Sequence, residues 1–337
     1  MIRIQDSSLR DGNHAVRHQI DGLTITEYVT RVSRAGVGII EVGHGNGLGA
    51  SSFQVGKALI SDQEVMERAV RAARPYAAKI AVHSMPGFAT IRRDLEPAIL
   101  AGVEVFRVGV HCTEVTVAEQ FIRFLSSSDC ECVCSLMMSH MTDDETLLEQ
   151  ALLAQDYGAT GVSIYDSAGS YVGPELYDRL SYLVQNLEVD LGFHAHNNLG
   201  LGISNSLAAV DAGCSILDAS ILGFGAGAGN AQLEVLVAAM LKCGYETGID
   251  LYEILDVSEW ARENLVKQVP EISSLSIVSG LAGVFSGFKT HVEKAAADFQ
   301  VDPRDIFFEL GKMRVVGGQE DLISEAARTL QSRRKRG

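Results

Sequence analysis

Up to Gly244, short β-rich runs alternate with longer amphipathic segments. The strand candidates are Ile2 to Gln5, Gly38 to Gly43, Lys79 to His83, Val103 to Val110, Cys132 to Met138, Gly161 to Tyr165, Val189 to His194 and Ile216 to Ile221. Between them, helix-length segments cover Thr24 to Arg34, Asp62 to Ala73, Thr113 to Leu125, Asp143 to Tyr157, Pro174 to Gln185, Ser204 to Ala212 and Ala231 to Lys242. Start signals are present: Thr142 precedes an acidic first turn of Asp143, Asp144 and Glu145, and Ser61-Asp62 is followed by Glu64. Stops are as plain, since Ala35-Gly36, Ala101-Gly102, Tyr157-Gly158 and Ala212-Gly213 each place glycine where a helix ends and a strand follows. Repeated strand-helix units within about 245 residues have the count and size of a (β/α)8 TIM barrel. A doubly wound open sheet is the alternative. The barrel explains more, because strands one and seven are both odd and alternate strands feed the same interior layer, so their ends face one shared site.

After Gly244 the pattern changes. Leu251 to Lys267, Gly287 to Phe299, Pro303 to Leu310 and Glu320 to Ser332 read as helices with no strand run between them. The expected division is a catalytic barrel over residues 1–249 and a helical appendage over 250–337, which covers the barrel mouth or docks a partner.

Composition narrows the function. A chain of 337 residues with 47% hydrophobic and 21% charged residues can bury a large core. A net charge of −15 argues against nucleic acid as a partner, and the one basic run, Arg333 to Arg336, reads as a solvated tail. The six cysteines form no CxxC pair, and Cys132 and Cys134 alternate within a strand-like run as reduced core residues would. No apolar run of about eighteen residues and no apolar signal segment is present, so a cytoplasmic protein without a membrane role is expected.

The candidate chemistry begins in the stretch from Leu191 to Asn205, LGFHAHNNLGLGISN. Side chains alternate along a strand, so His194 and His196 point the same way, at the carboxyl end where βα proteins keep their chemistry. The turn after strand one, Ser8 to His14, supplies Asp11, a carboxylate able to join the two imidazoles around a divalent cation with open positions. Such a set suits Mn²⁺, Fe²⁺, Co²⁺ or Zn²⁺, and ligand softness does not choose among them. Arg10 is a fixed cation suited to an oxyanion or a carboxylate. His14 is a candidate acid/base, since imidazole titrates near neutrality. The run GFGAGAGN from Gly223 imitates a dinucleotide fingerprint, but no earlier βαβ half with an acidic ribose ligand supports it.

Arg10 to Gln19 (RDGNHAVRHQ), HAHNNLGLGISNS from His194 and GFGAGAGN together resemble the 4-hydroxy-2-oxovalerate aldolases, within the wider HMG-CoA-lyase-like and pyruvate-carboxylase-like barrel superfamily. The likeness extends through EVGHGNGLGASS from Glu41, HCTEV from His111, LMMSHM from Leu136, YDSAG from Tyr165 and VGGQEDLI from Val316, and so covers essentially the whole chain.

The resemblance implies a class II, divalent-metal-dependent pyruvate aldolase. Asp11, His194 and His196 would hold the metal, Mn²⁺ in most of the family, with Co²⁺, Mg²⁺ or Zn²⁺ as alternatives. Arg10 would neutralise the developing enolate, and His14 would take the proton of the 4-hydroxyl. Ser167 would contact the pyruvyl moiety, and Asn230 would orient a metal ligand. An oligomer is expected. A partner acylating aldehyde dehydrogenase is also implied, receiving the aldehyde through a tunnel matched here by Gly317 and Gly318.

The chain departs from the family in the appendage, where Leu281-Ala282-Gly283-Val284-Phe285 stands in place of a motif with tyrosines at its ends. Phe285 can shape the substrate pocket but cannot donate a hydrogen bond. His83-Ser84-Met85 also replace a more aliphatic stretch, which together implies a different, more polar aldehyde. Two further readings remain: an acyl-CoA-dependent Claisen enzyme of the same fold, and a non-catalytic scaffold subunit of a dehydrogenase complex.

Overall fold

A computed structural model describes residues 2–336, with the side chains of Lys335 and Arg336 outside the described set. Eight parallel strands close into a barrel in sequence order: β1 (Arg3–Leu9), β2 (Ile39–Val42), β3 (Lys79–Ser84), β4 (Val105–His111), β5 (Glu131–Met137), β6 (Gly161–Asp166), β7 (Asp190–Ala195) and β8 (Ile216–Ala219). Pairing of β1 with both β2 and β8 seals the ring, so the open-sheet alternative is excluded.

The intervening helices are α1 (Gly22–Arg34), α2 (Asp62–Ala73), α3 (Glu96–Ala101), α4 (Glu119–Ser126), α5 (Asp144–Asp156), α6 (Gly173–Asn186), α7 (Gly202–Asp211) and α8 (Leu233–Cys243). Capping sets several starts: Ser61 accepts from the Glu64 amide and Asp143 from the Thr146 amide. Two of the expected stops, Gly102 and Gly158, take φ of 96° and 102°, the left-handed conformation that ends a helix.

The sequence pattern misses α3. Its first turn is a π turn, Ile91–Leu95, and Pro97 follows at the start of the helix, so the helical period is broken where it would be read. Strand β1 also runs on to Leu9, past its expected end at Gln5, because Asp6, Ser7 and Ser8 are polar but buried. The functional turn therefore starts at Arg10 rather than Ser8.

The apolar side chains of helices and strands merge into one shell of buried residues around the ring. The barrel interior is different. Ile39, Ala81 and Val105 form a small separate apolar plug. Two residues further along the same strands stand Glu41, His83 and Arg107, all buried and on the same inward face. The upper interior is therefore polar where such barrels usually stack branched aliphatics.

Beyond the barrel lie α9 (Leu251–Asn264), α10 (Ser274–Ala282), α11 (Lys289–Phe299), α12 (Pro303–Met313) and α13 (Asp321–Arg336). The boundary expected at residue 250 lies just before α9. Ile254, Val257 and Ala261 of α9 belong to the barrel's own apolar shell, packed on α1 and α8. The appendage has its own core, from Val284, Phe288 and Val292 through Ile306, Phe307 and Leu310 to Ile323 and Ala327. Helix α10, unread in the sequence, is only nine residues long and is capped by Ser273. The basic run is not a free tail: it continues α13, with Arg333 bonded to Glu309 at 3.0 Å and Arg334 to the Gln300 carbonyl at 3.0 Å. Among the described residues, no helix is long and apolar enough to cross a membrane.

Candidate metal centre

Asp11 opens a 3-10 turn (Asp11–His14) directly after β1, while His194 lies in β7 and His196 just past its end. Barrel closure brings the three together, buried, with one ligating atom from each lying within 4.8 Å of the others. Each histidine has its Nδ1 engaged: His194 with Asp218 Oδ2 at 2.9 Å, and His196 with the Ser167 carbonyl at 2.9 Å. Nδ1 then carries the proton, and Nε2 keeps its lone pair for a cation.

Two observations show that this donor set fits a divalent ion. His196 Nε2 is buried without a hydrogen-bond partner among the described residues and stands 3.9 Å from Asp11 Oδ2. The local field also favours positive charge: burial opposes a charged His196 ring, yet Asp11 beside it raises the imidazole above its ordinary range. Burial likewise opposes the Asp11 carboxylate, but Arg10 and His196 hold it well below the usual carboxylate range.

Arg10 is fixed on both sides. Its Nε donates to Glu41 Oε2 at 2.8 Å and its Nη1 to Asp11 Oδ1 at 2.7 Å. Nη2 is buried and unpaired among the described residues, a donor left for an incoming anion. Glu41 keeps its charge despite burial because Arg10 and Arg107 lie beside it.

The glycine run closes the centre from the β8 side. Asn230 donates through Nδ2 to Asp11 Oδ2 at 2.8 Å. A Cβ on Gly225 would fall 2.6 Å from Asn230 Nδ2 and 2.7 Å from Asp11 Oδ2. This glycine is therefore required for close approach to the carboxylate.

A match to the HMGL-like family model spans residues 1–260, and a match to the DmpG-like communication domain spans 270–332. A 4-hydroxy-2-oxovalerate aldolase of Pectobacterium atrosepticum is 51% identical, covering 98% of this chain and 96% of that protein. One from Spirochaeta aurantia is 50% identical, covering 99% and 98%. The chain belongs to the HMGL-like 4-hydroxy-2-oxovalerate aldolase family.

Solved structures extend this aldolase family's fold. The Bacillus subtilis HMG-CoA lyase superposes with a TM-score of 0.67 at 17% identity, over 80% of this chain and 95% of that one. The carboxyl transferase domain of Rhizobium etli pyruvate carboxylase, solved with pyruvate and biocytin, gives 0.80 at 15% identity, over 98% of this chain and 60% of that one.

The remaining residues expected from the aldolase likeness are placed as follows. His14 is half-buried, with Asp11 and Arg10 close enough to act on its charge, and burial pushes its imidazole down to about 4. It is edge-on to His18 at 5.3 Å, and His18 stacks on His44 at 3.6 Å. Ser167 accepts from the Met138 amide at 2.9 Å through its hydroxyl, while its carbonyl holds His196. Phe285 is half-buried against the appendage core, its ring edge-to-face with Phe288 at 5.9 Å, and Leu281 is 66% exposed.

The sequence reading missed Glu41, Arg107, Tyr165 and Asp218 as members of the centre. The available signal was a charge inside an otherwise apolar strand, as with Arg107 in β4 and Asp218 in β8.

Proposed function

We propose that this chain is a divalent-metal-dependent pyruvate aldolase that reversibly cleaves a 4-hydroxy-2-oxo acid to pyruvate and an aldehyde. The observation that carries the reading is the convergence of Asp11, His194 and His196 beside the unpaired Nη2 of Arg10, in a chain half-identical to enzymes named for that reaction.

A divalent cation, Mn²⁺ on the family likeness, would be held by Asp11, His194 and His196 and would supply Lewis acidity to the 2-oxo acid. Arg10 binds the negative charge that builds on the pyruvyl oxygen as the carbon–carbon bond breaks, using a donor already fixed by Glu41 and Asp11. His14, neutral near pH 7 because its imidazole is held at about 4, accepts the 4-hydroxyl proton in cleavage and returns it in condensation. Ser167 bounds the pyruvyl side of the pocket. On the family likeness Phe285 would bound the aldehyde side with a ring that cannot donate a hydrogen bond, and that ring packs edge-to-face on Phe288 in the appendage.

The appendage is the surface for an acylating aldehyde dehydrogenase, supported by the communication-domain match over 270–332.

The deciding experiment is deuterium exchange into the pyruvate methyl group with Mn²⁺ present, in the wild type and in Asp11→Ala. Exchange that depends on both metal and Asp11 supports the reading. Exchange unchanged by chelation, or unchanged in the variant, defeats it.

A further inference from the structure

Arg107 heads the large side chains with essentially no exposed surface among the described residues, and it occupies the barrel interior. An ionised guanidinium in such a place is tolerated only when its partners are well arranged. Its Nη1 donates to Asp218 Oδ2 at 2.6 Å and its Nη2 to Ser163 Oγ at 3.1 Å. Its guanidinium carbon lies 5.2 Å from the centre of the Tyr165 ring.

Both of its larger neighbours touch one metal-ligand candidate. The Asp218 oxygen that Arg107 grips also accepts from His194 Nδ1 at 2.9 Å. The Tyr165 ring stacks on the His194 ring, with centroids 4.4 Å apart and planes inclined by 15°. His194 is thus held in its plane by a carboxylate and on its face by an aromatic ring, and the same guanidinium backs both. His196, by contrast, is oriented by a main-chain carbonyl.

We propose that Arg107 is a positioning residue for the metal centre. By fixing Asp218 and Tyr165 against His194, it sets the tautomer and the ring plane in which His194 Nε2 is offered to a divalent cation. The inference rests on the reading of Asp11, His194 and His196 as metal ligands. Ser163, bonded to Arg107 but not to His194, anchors the far side of the guanidinium.

The test is Mn²⁺ titration by calorimetry of the full chain, with the electron paramagnetic resonance spectrum of bound Mn²⁺ as a second readout. Wild type is compared with Arg107→Met, Arg107→Lys and Asp218→Asn, each checked for native circular dichroism. Loss of a partner that orients a metal ligand typically weakens binding about 10–100-fold, and that loss is expected for Arg107→Met and Asp218→Asn, with an altered spectrum. Arg107→Lys keeps the charge but loses the planar fork, so it should fall between them and wild type. Adding Arg107→Met to Asp218→Asn should cost little more than Asp218→Asn alone, since both act through one contact. If Arg107→Met does not fold, Arg107→Lys and the nearly isosteric Asp218→Asn carry the test. Wild-type Mn²⁺ affinity in the folded Arg107 or Asp218 variants overturns the inference while leaving the ligand triad intact. A wild-type chain that takes up no divalent cation defeats the triad itself, and the inference with it.

Discussion

Asn230 donates through Nδ2 to Asp11 Oδ2 at 2.8 Å, so the loop after β8 steadies a carboxylate supplied by the turn after β1. Asn230→Ala should weaken Mn²⁺ binding by about 10-fold, the lower end expected for losing such a contact. Gly225→Ala should be worse, since its methyl would displace both Asn230 and Asp11. Calorimetry of the two folded variants checks this, and wild-type affinity in Gly225→Ala would show that the glycine serves only the turn.

His14 is held at about 4 by burial, so it is neutral and ready to accept a proton well below the ordinary imidazole value of 6.5. Retro-aldol kcat should therefore show no acid limb at an ordinary histidine pKa, and His14→Ala should lose roughly 10²–10⁴-fold in turnover. A pH–rate profile measured with saturating metal decides the matter. An acid limb near 6.5 would contradict the assignment.

His18, buried against the stacked His44 ring, is lowered from 6.5 to about 3. Between those values the unfolded chain binds a proton that the folded protein refuses, so this group's contribution to stability falls as pH drops from about 6.5 towards 3. Asp6 acts in the opposite sense: burial raises its carboxyl from 3.8 to about 6, so its contribution improves as pH falls through that window. The difference between proteins is therefore the useful quantity. His18→Gln should lose less Tm than wild type between pH 7 and pH 5, and equal losses would remove His18 as a source of acid sensitivity.

Asn198, fully buried two residues beyond His196, clasps the appendage to the barrel. It donates to the Ser276 carbonyl at 3.1 Å and accepts from the Ser286 hydroxyl at 3.0 Å. Asn198→Ala should cost about 1–3 kcal/mol through the buried groups it orphans, with amides of residues 274–286 exchanging faster. Unchanged exchange there would mean that the two cores are held together by other contacts.

Phe285→Tyr adds the hydroxyl that the family resemblance implies at this position. It should raise kcat/KM for short aliphatic aldehydes in the condensation direction. Unaltered rate and product stereochemistry would mean that position 285 does not set aldehyde choice.

Much of this protein was legible in its residues. Eight strands, most of their helices, the glycine stops and the shared face of His194 and His196 follow from patterns a few residues long. Helix α3 was hidden by a π turn and a proline, and α10 by its brevity. Helix α9 reads as one more amphipathic helix, and which core its apolar face joins is not a local property.

The amino-acid order by itself determined which groups are available: a carboxylate after the first strand, two imidazoles sharing one face of the seventh, and an arginine beside the carboxylate. Local periodicity suffices for that, because strand alternation and turn chemistry act over neighbouring residues. Only the closed barrel decided which groups support them. Arg107 meets Asp218 across 111 positions and Asn230 meets Asp11 across 219, contacts created when parallel strand ends are drawn into one ring. No short-range pattern encodes such pairings, since they depend on register and closure of the whole sheet.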